Sequence, residues 1–215
     1  MDTHNLRQDY TKDILVEDNL SDNPFTQFNI WFQQCIDYKL PEPYAMFLAT
    51  SDNKNNPHVR TVLMRNFDNR GLCFFTNYTS LKGQDLAQNN KAEVLFFWQQ
   101  LERQVRIHGN VYKLDYQESQ DYFSKRPLAS QIGAIVSPQS QIIANRNELE
   151  IKYNTASMEY HSENLPQCPD FWGGYRLIPT YFEFWQGRAS RLHDRITYTR
   201  DSEQHENWNI QRLAP

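Results

Sequence analysis

Apolar residues fall along this chain in several distinct regimes. Residues 1 to about 20 are polar and unpatterned, which reads as a mobile N-terminal arm. At Asp22-Asn23-Pro24 a helix is predicted to start, with proline in the first turn, where a missing N–H costs nothing. Phe25, Phe28, Trp31, Phe32, Cys35 and Ile36 then recur at helical spacing and give one apolar face, until Pro41 and Pro43 end the helix. From Ala45 the pattern becomes that of strands. Residues 45–51, 59–67 and 72–77 read as an antiparallel meander with turns at 53–56 and 68–71. Ser80 caps a short helix to residue 89, and residues 93–98 and 104–114 are two more strands.

Residues 116–136 return to helical spacing, broken at Pro127, and 144–162 form a third, more polar helical stretch. Gly173-Gly174 opens a last all-β section with strands at 175–185, 191–199 and 208–213. The strands follow one another as hairpins and not as β-α-β units. The predicted fold is therefore mainly β with peripheral helices, a β-barrel forming a single domain over residues 21–215.

Composition narrows the function. The longest apolar runs, near residues 45–49 and 94–98, are too short to cross a bilayer, and the first ten residues lack the apolar centre of a signal peptide. Cys35, Cys73 and Cys168 are scattered and odd in number, which argues for a reducing compartment, the cytoplasm, and against a disulfide framework. A net charge of −4 leaves no global footprint for nucleic acid, so an anionic ligand would need a local cationic pocket. The glycines spell neither G-x-G-x-x-G nor a P-loop, and no G-x-S-x-G is present. His4, His58, His108, His161, His193 and His205 never take up ligand spacing, so no metal is expected.

Several clusters remain. Tyr122 and Arg126 share a helix face, and Ser130 follows Pro127 where a new helix would expose backbone N–H groups. Together they read either as a phosphate cradle or as a surface helix with an ordinary serine cap. Arg191, His193 and Arg195 would line one face if 191–199 is a regular strand, either around an anion or as an exposed polar edge. Arg60 and Arg65, five apart, would point to opposite faces of their strand, and Lys82 follows Ser80 as a second phosphate ligand or a solvated lysine. Trp172 and Trp185 each lie close to glycine, which lets backbone approach a flat ring.

Taken in order, LRQDYTK, RTVLMR, FFTNYTSLKGQDLAQNN, LERQVRIHG, YFSKRPLASQIGAIVSPQS, FWGGYR, EFWQGRASRLHDR and the terminal RLAP resemble the pyridoxamine 5′-phosphate oxidase family from about residue 6 to residue 215. The resemblance implies an FMN-binding split β-barrel with two FMN molecules at a homodimer interface. It implies oxidation of pyridoxamine or pyridoxine 5′-phosphate to pyridoxal 5′-phosphate, with O2 reduced to H2O2. By the family pattern FMN would meet Arg60, Thr61, Val62, Leu63, Met64 and Arg65, then Phe75, Thr76, Lys82, Gln104, Gln139, Ser140, Trp172 and Arg195. Some of these would reach across from the partner subunit. The substrate phosphate would meet Arg65, Tyr122, Arg126 and Ser130. Arg191 and His193 would be the catalytic pair facing the pyridine ring, and Arg7 and Tyr10 of the arm would close over it. Arg65 stands where the family often has lysine, Leu81 where a basic residue commonly precedes Lys82, and Phe75 where tyrosine is frequent. The rival readings are another split-barrel flavoprotein, such as a flavin reductase, and a non-catalytic flavin or pyridoxal-phosphate carrier.

Overall fold

The computed structural model describes residues 9–215. Asn23 starts the first helix, α1 (Pro24–Asp37), by accepting through its side chain from the N–H groups of Phe25 and Thr26, with Pro24 in the first turn. The buried face is the predicted one: Phe25, Phe28, Trp31 and Cys35. It lies on the barrel core, with the Phe28 ring 5.1 Å from Phe96 and Trp31 5.2 Å from Phe184. Full burial of a side chain such as Phe28 contributes roughly 2–3 kcal/mol.

Nine strands make one antiparallel sheet: β1 (Ala45–Ser51), β2 (Pro57–Leu63), β3 (Asn66–Asp68), β4 (Gly71–Asn77), β5 (Lys91–Trp98), β6 (Arg103–Lys113), β7 (Trp172–Gln186), β8 (Asp194–Thr199) and β9 (Asn209–Leu213). Their order is β2-β1-β5-β6-β7-β4-β3, with β8 on β7 and β9 on β8. β7 organises the sheet. β6 runs along its whole length, while on the other side its first half pairs with β4 and its second half with β8. A register shift at His108/Gly109 and the missing N–H of Pro179 separate the two halves. Gly109 is required there, because a Cβ would stand 1.9 Å from the Ile178 carbonyl oxygen. The sheet curls into a split barrel whose interior holds Val94, Phe96, Ile107, Phe182, Phe184 and Tyr198, all fully buried.

Two strand predictions are corrected. The strand expected over 59–67 is broken, because the N–H of Met64 bonds the Tyr44 carbonyl while that of Arg65 bonds Cys73. The chain passes there from one ladder to another, closing the barrel, so Arg65 has no opposite face to point to. The strand expected from 191 begins only at Asp194. Ala189–Arg191 is instead a single 3-10 turn, with Ser190 and Arg191 at φ 57° and 61°. Arg191, His193 and Arg195 therefore do not line one strand face.

Helix α2 (Leu81–Gln88) is capped by Ser80 as predicted. α3 (Tyr116–Ser124) and α4 (Leu128–Val136) flank Pro127, and α5 (Arg146–Glu159) has no buried residue. From Lys12 onward the N-terminal segment is tied to the barrel: the Lys12 N–H donates to Glu102 at 2.9 Å, Asp13 pairs with Arg103 at 2.6 Å and Leu15 is buried. Glu17 and the Leu15 carbonyl accept from Arg212. No helix among the described residues is long and apolar enough to cross a membrane.

Candidate functional site

Where β2 faces β4 across the split, a cavity of about 540 Å³ opens beneath α3 and α4. Thirteen of the residues singled out from sequence line it: Arg60, Thr61, Val62, Leu63, Arg65, Phe75, Thr76, Lys82, Tyr122, Arg126, Ser130, Gln139 and Trp172. Four of these are cations and, among the described residues, no lining side chain is acidic. In a chain of net charge −4 that local excess is a strong preference for anions.

Each cation is placed by its element. Arg60 sits on β2 and donates to the Leu48 carbonyl at 3.1 Å and the Thr50 hydroxyl at 2.7 Å. Thr50 in turn donates to the buried Asp85 carboxylate at 2.6 Å, which lies 3.7 Å from the Arg60 guanidinium. Lys82, in the first turn of α2, is buried among neutral acceptors, with Gln139 Oε1 at 2.9 Å, Thr76 Oγ1 at 3.2 Å and Ser80 Oγ at 3.4 Å. Burial first, and the Arg60 charge second, bring its pKa down to about 8. Arg126, at the α3–α4 break, lies 4.8 Å over the Trp172 ring. Its Nη1 is buried and has no hydrogen-bond partner among the described residues. Burial and the nearby Arg65 lower its pKa, so an anion here would relieve both an unmet donor and an uncompensated charge.

One wall is aromatic. Phe75 stacks on Tyr122 with centroids 3.8 Å apart and planes at 17°, and on Trp172 at 5.7 Å and 19°. Flat apolar rings beside fixed cations suit a phosphorylated heterocycle.

The remaining candidates gather elsewhere. Gln104, Trp185 and Arg195 are cross-strand neighbours on β6, β7 and β8, so their side chains share one face. Arg195 is held by the buried Glu183 carboxylate at 2.9 and 3.0 Å, which raises the arginine's pKa. His193 packs 4.7 Å from Trp185 and 5.8 Å from Tyr10. Tyr10 lies so close to Gly187 that a Cβ at that position would come within 2.7 Å of its ring. Arg191 is exposed at the end of its turn. Trp172 and Trp185 stand near opposite ends of β7, about 40 Å of extended strand apart, so this cluster and the cavity belong to different ends of the chain's longest strand. Met64 is buried in the core, Ser140 takes a left-handed φ of 68° just beyond Gln139, and Arg7 lies outside the described residues.

Sequence reasoning missed Asn77, Gly133, Ala134 and Ser137 in the cavity wall, and Asp85 and Thr50 behind Arg60. It noted Trp185 and Gly187 as a place where backbone could approach a flat ring, without assigning Trp185 a role.

Residues 32–159 match the family profile described as pyridoxamine 5′-phosphate oxidase, and residues 172–215 match that of the pyridoxine 5′-phosphate oxidase C-terminal dimerisation region. The chain is 50% identical over 210 residues to a pyridoxine/pyridoxamine 5′-phosphate oxidase of Paraburkholderia phytofirmans, covering 98% of this chain and 97% of that one. It is 48% identical over 215 residues to the protein of the same description in Crocosphaera subtropica, covering all of both. Among solved structures, PhzG from Burkholderia lata 383, in complex with tetrahydrophenazine-1-carboxylic acid, superposes with a TM-score of 0.86 at 27% identity, covering 94% of this chain and 98% of that one. An FMN-binding, pyridoxamine 5′-phosphate oxidase-related protein from Nostoc punctiforme shares the fold, with a TM-score of 0.70 at 18% identity over 91% of this chain and all of that one.

Proposed function

The chain belongs to the pyridoxamine 5′-phosphate oxidase family, and from that premise we propose that it is an FMN-dependent oxidase converting pyridoxamine or pyridoxine 5′-phosphate to pyridoxal 5′-phosphate. The observation that carries this reading is the cavity itself, with four cations, no acid among its described lining residues and a buried guanidinium nitrogen without a partner. Those donors form two subsites. Lys82, Arg60, Thr76 and Gln139 would hold the FMN phosphate, while Arg126, Arg65, Tyr122 and Ser130 would hold that of the substrate. FMN, when bound, supplies the two-electron chemistry, taking electrons from C4′ of the substrate and passing them to O2 to give H2O2. With the amine substrate, water then hydrolyses the oxidised C4′ imine to the aldehyde and ammonia leaves.

The cluster of Gln104, Trp185, Arg191, His193 and Arg195 would complete the site from a second copy of the chain. The outer face of β2-β1-β5 supports this arrangement: Phe47, Val59 and Phe97 are exposed there, on the sheet that continues to Gln104 and Trp185. Arg191 and His193 would orient the pyridine ring, Arg195 would stabilise negative charge on the reduced flavin, and the arm with Arg7 and Tyr10 would close over the substrate. The buried, unpaired Cys35, Cys73 and Cys168 fit a cytoplasmic enzyme.

The likeness to PhzG favours one second reading, oxidation of a reduced tricyclic carboxylic acid in the same cavity. The test is anaerobic addition of pyridoxine 5′-phosphate to the FMN-saturated protein while the flavin visible band is recorded. Bleaching, then recovery with formation of pyridoxal 5′-phosphate on admitting air, is the expected result. A band that persists with both B6 phosphates but bleaches with tetrahydrophenazine-1-carboxylic acid would install the second reading instead.

A further inference from the structure

The turn that joins β7 to β8 is more constrained than a surface connection needs to be. Ser190 and Arg191 are consecutive residues with side chains, and both take left-handed φ values. That conformation folds the backbone N–H of Arg188 back onto the His193 ring, where it donates to Nδ1 at 3.1 Å. Trp185 and Tyr10 hold the ring from two further sides.

A backbone N–H can only donate. Nδ1 must therefore present its lone pair, and the proton of the neutral ring resides on Nε2. Protonating Nδ1 would set two N–H groups against each other. The surrounding charges act in the same direction. Arg191 adds its positive charge near the ring, while the Arg188 guanidinium is paired with Asp194. Asp194, the adjoining carboxylate, already accepts from Arg188 at 2.9 Å, from Arg212 at 2.7 Å and from the Leu15 N–H at 3.1 Å. Burial, and after it the Arg191 charge, hold the imidazole below its ordinary value, with Asp194 opposing.

We infer that the turn at residues 188–193 locks His193 as a neutral imidazole whose Nε2–H donates a hydrogen bond to the substrate, so that His193 is a donor and not the proton acceptor of the oxidation. The substrate part of this inference rests on the function proposed above. Arg191 is also a donor only, so the turn as a whole selects for a lone pair on the 3-hydroxyl oxygen or the C4′ substituent, and a proton leaving the substrate must depart by another route.

Two measurements test it on the full chain. In the first, ¹⁵N-histidine NMR is recorded from pH 5 to 8, with the His193 signal identified by its loss in His193→Gln. The neutral Nε2–H tautomer at pH 7 is expected; a cation at pH 7, or a proton on Nδ1, overturns the inference. In the second, kcat/KM for pyridoxine 5′-phosphate is compared among variants. His193→Ala should lose roughly 3- to 12-fold, the worth of one hydrogen bond, with part of it recovered by the amide donor of His193→Gln. A loss of about 100-fold or more in both variants, together with a missing acidic limb in the pH profile, would mark a general base and overturn the inference. If the wild-type protein does not oxidise pyridoxine 5′-phosphate at all, the proposed function falls, while the tautomer stands or falls by the NMR alone.

Discussion

In the role proposed for Lys82, a single buried charge would serve binding at the expense of stability. Its pKa is held at about 8, whereas the unfolded chain keeps that proton to the ordinary value of 10.5. Below pH 8 both states carry the proton and folding bears the cost of burying the cation, about 3 kcal/mol for a difference of that size. As pH rises from 8 toward 10.5 the folded lysine gives up its charge and the cost disappears. Lys82→Met should therefore raise the melting temperature of the FMN-free protein at pH 7 by several degrees while weakening FMN binding, checked by thermal denaturation and by quenching of flavin fluorescence. In the wild type, FMN affinity should fall as pH rises through about 8, and Lys82→Arg should remove that inflection, since arginine stays charged. Lys82 alone reads in sequence as an ordinary solvated lysine. What the sequence could not display is Asp85 and Thr50 fixing Arg60, because these residues meet only through the pairing of β1 with β2 and the packing of α2.

Among the elements, those governed by local chemistry were legible and those governed by closure were not. Asn23 and Ser80 cap the predicted helices because each cap depends on residues two or three positions away. The break at Met64–Arg65 is decided by which distant strand offers the next hydrogen bond, and alternation cannot reveal that. The turn at 189–191 rests on two consecutive left-handed residues with side chains, which alternation cannot reveal either. The N-terminal segment is divided in the same way. Tyr10 packs on the cluster of Trp185 and His193, whereas Asp13, Leu15 and Glu17 are built into the barrel through Arg103, Asp194 and Arg212. Removal of residues 1–12 should weaken substrate binding and leave both FMN affinity and melting temperature unchanged. Removal of residues 1–20 should also lower the melting temperature, because burial of Leu15 alone is worth roughly 2 kcal/mol. Equal melting temperatures for the two truncations would refute that division.

For the whole molecule, the separation of the cavity from the outer cluster along β7 makes a composite site testable by mixing. Arg126→Ala damages the cavity and Arg195→Leu damages the cluster, so each homodimer should be nearly inactive. In a mixed dimer one of the two sites would take both intact halves. Co-refolding or co-expressing the two variants should then restore roughly a quarter of the wild-type sites, the statistical yield for a two-fold dimer. No recovery would place both halves of the site within one chain.

β7 also governs how this protein can be made. β4 and β6 emerge from the ribosome long before their common neighbour, since about 60 residues separate Lys113 from Trp172. At ~5–20 residues per second, both strands wait for several seconds with unpaired edges. The cavity between β2 and β4 cannot be completed until the first half of β7 has been translated, nor the barrel until residue 186 has been. A ribosome stalled before that point should release an aggregation-prone product, and chaperone demand during synthesis should be set by the timing of this one late strand.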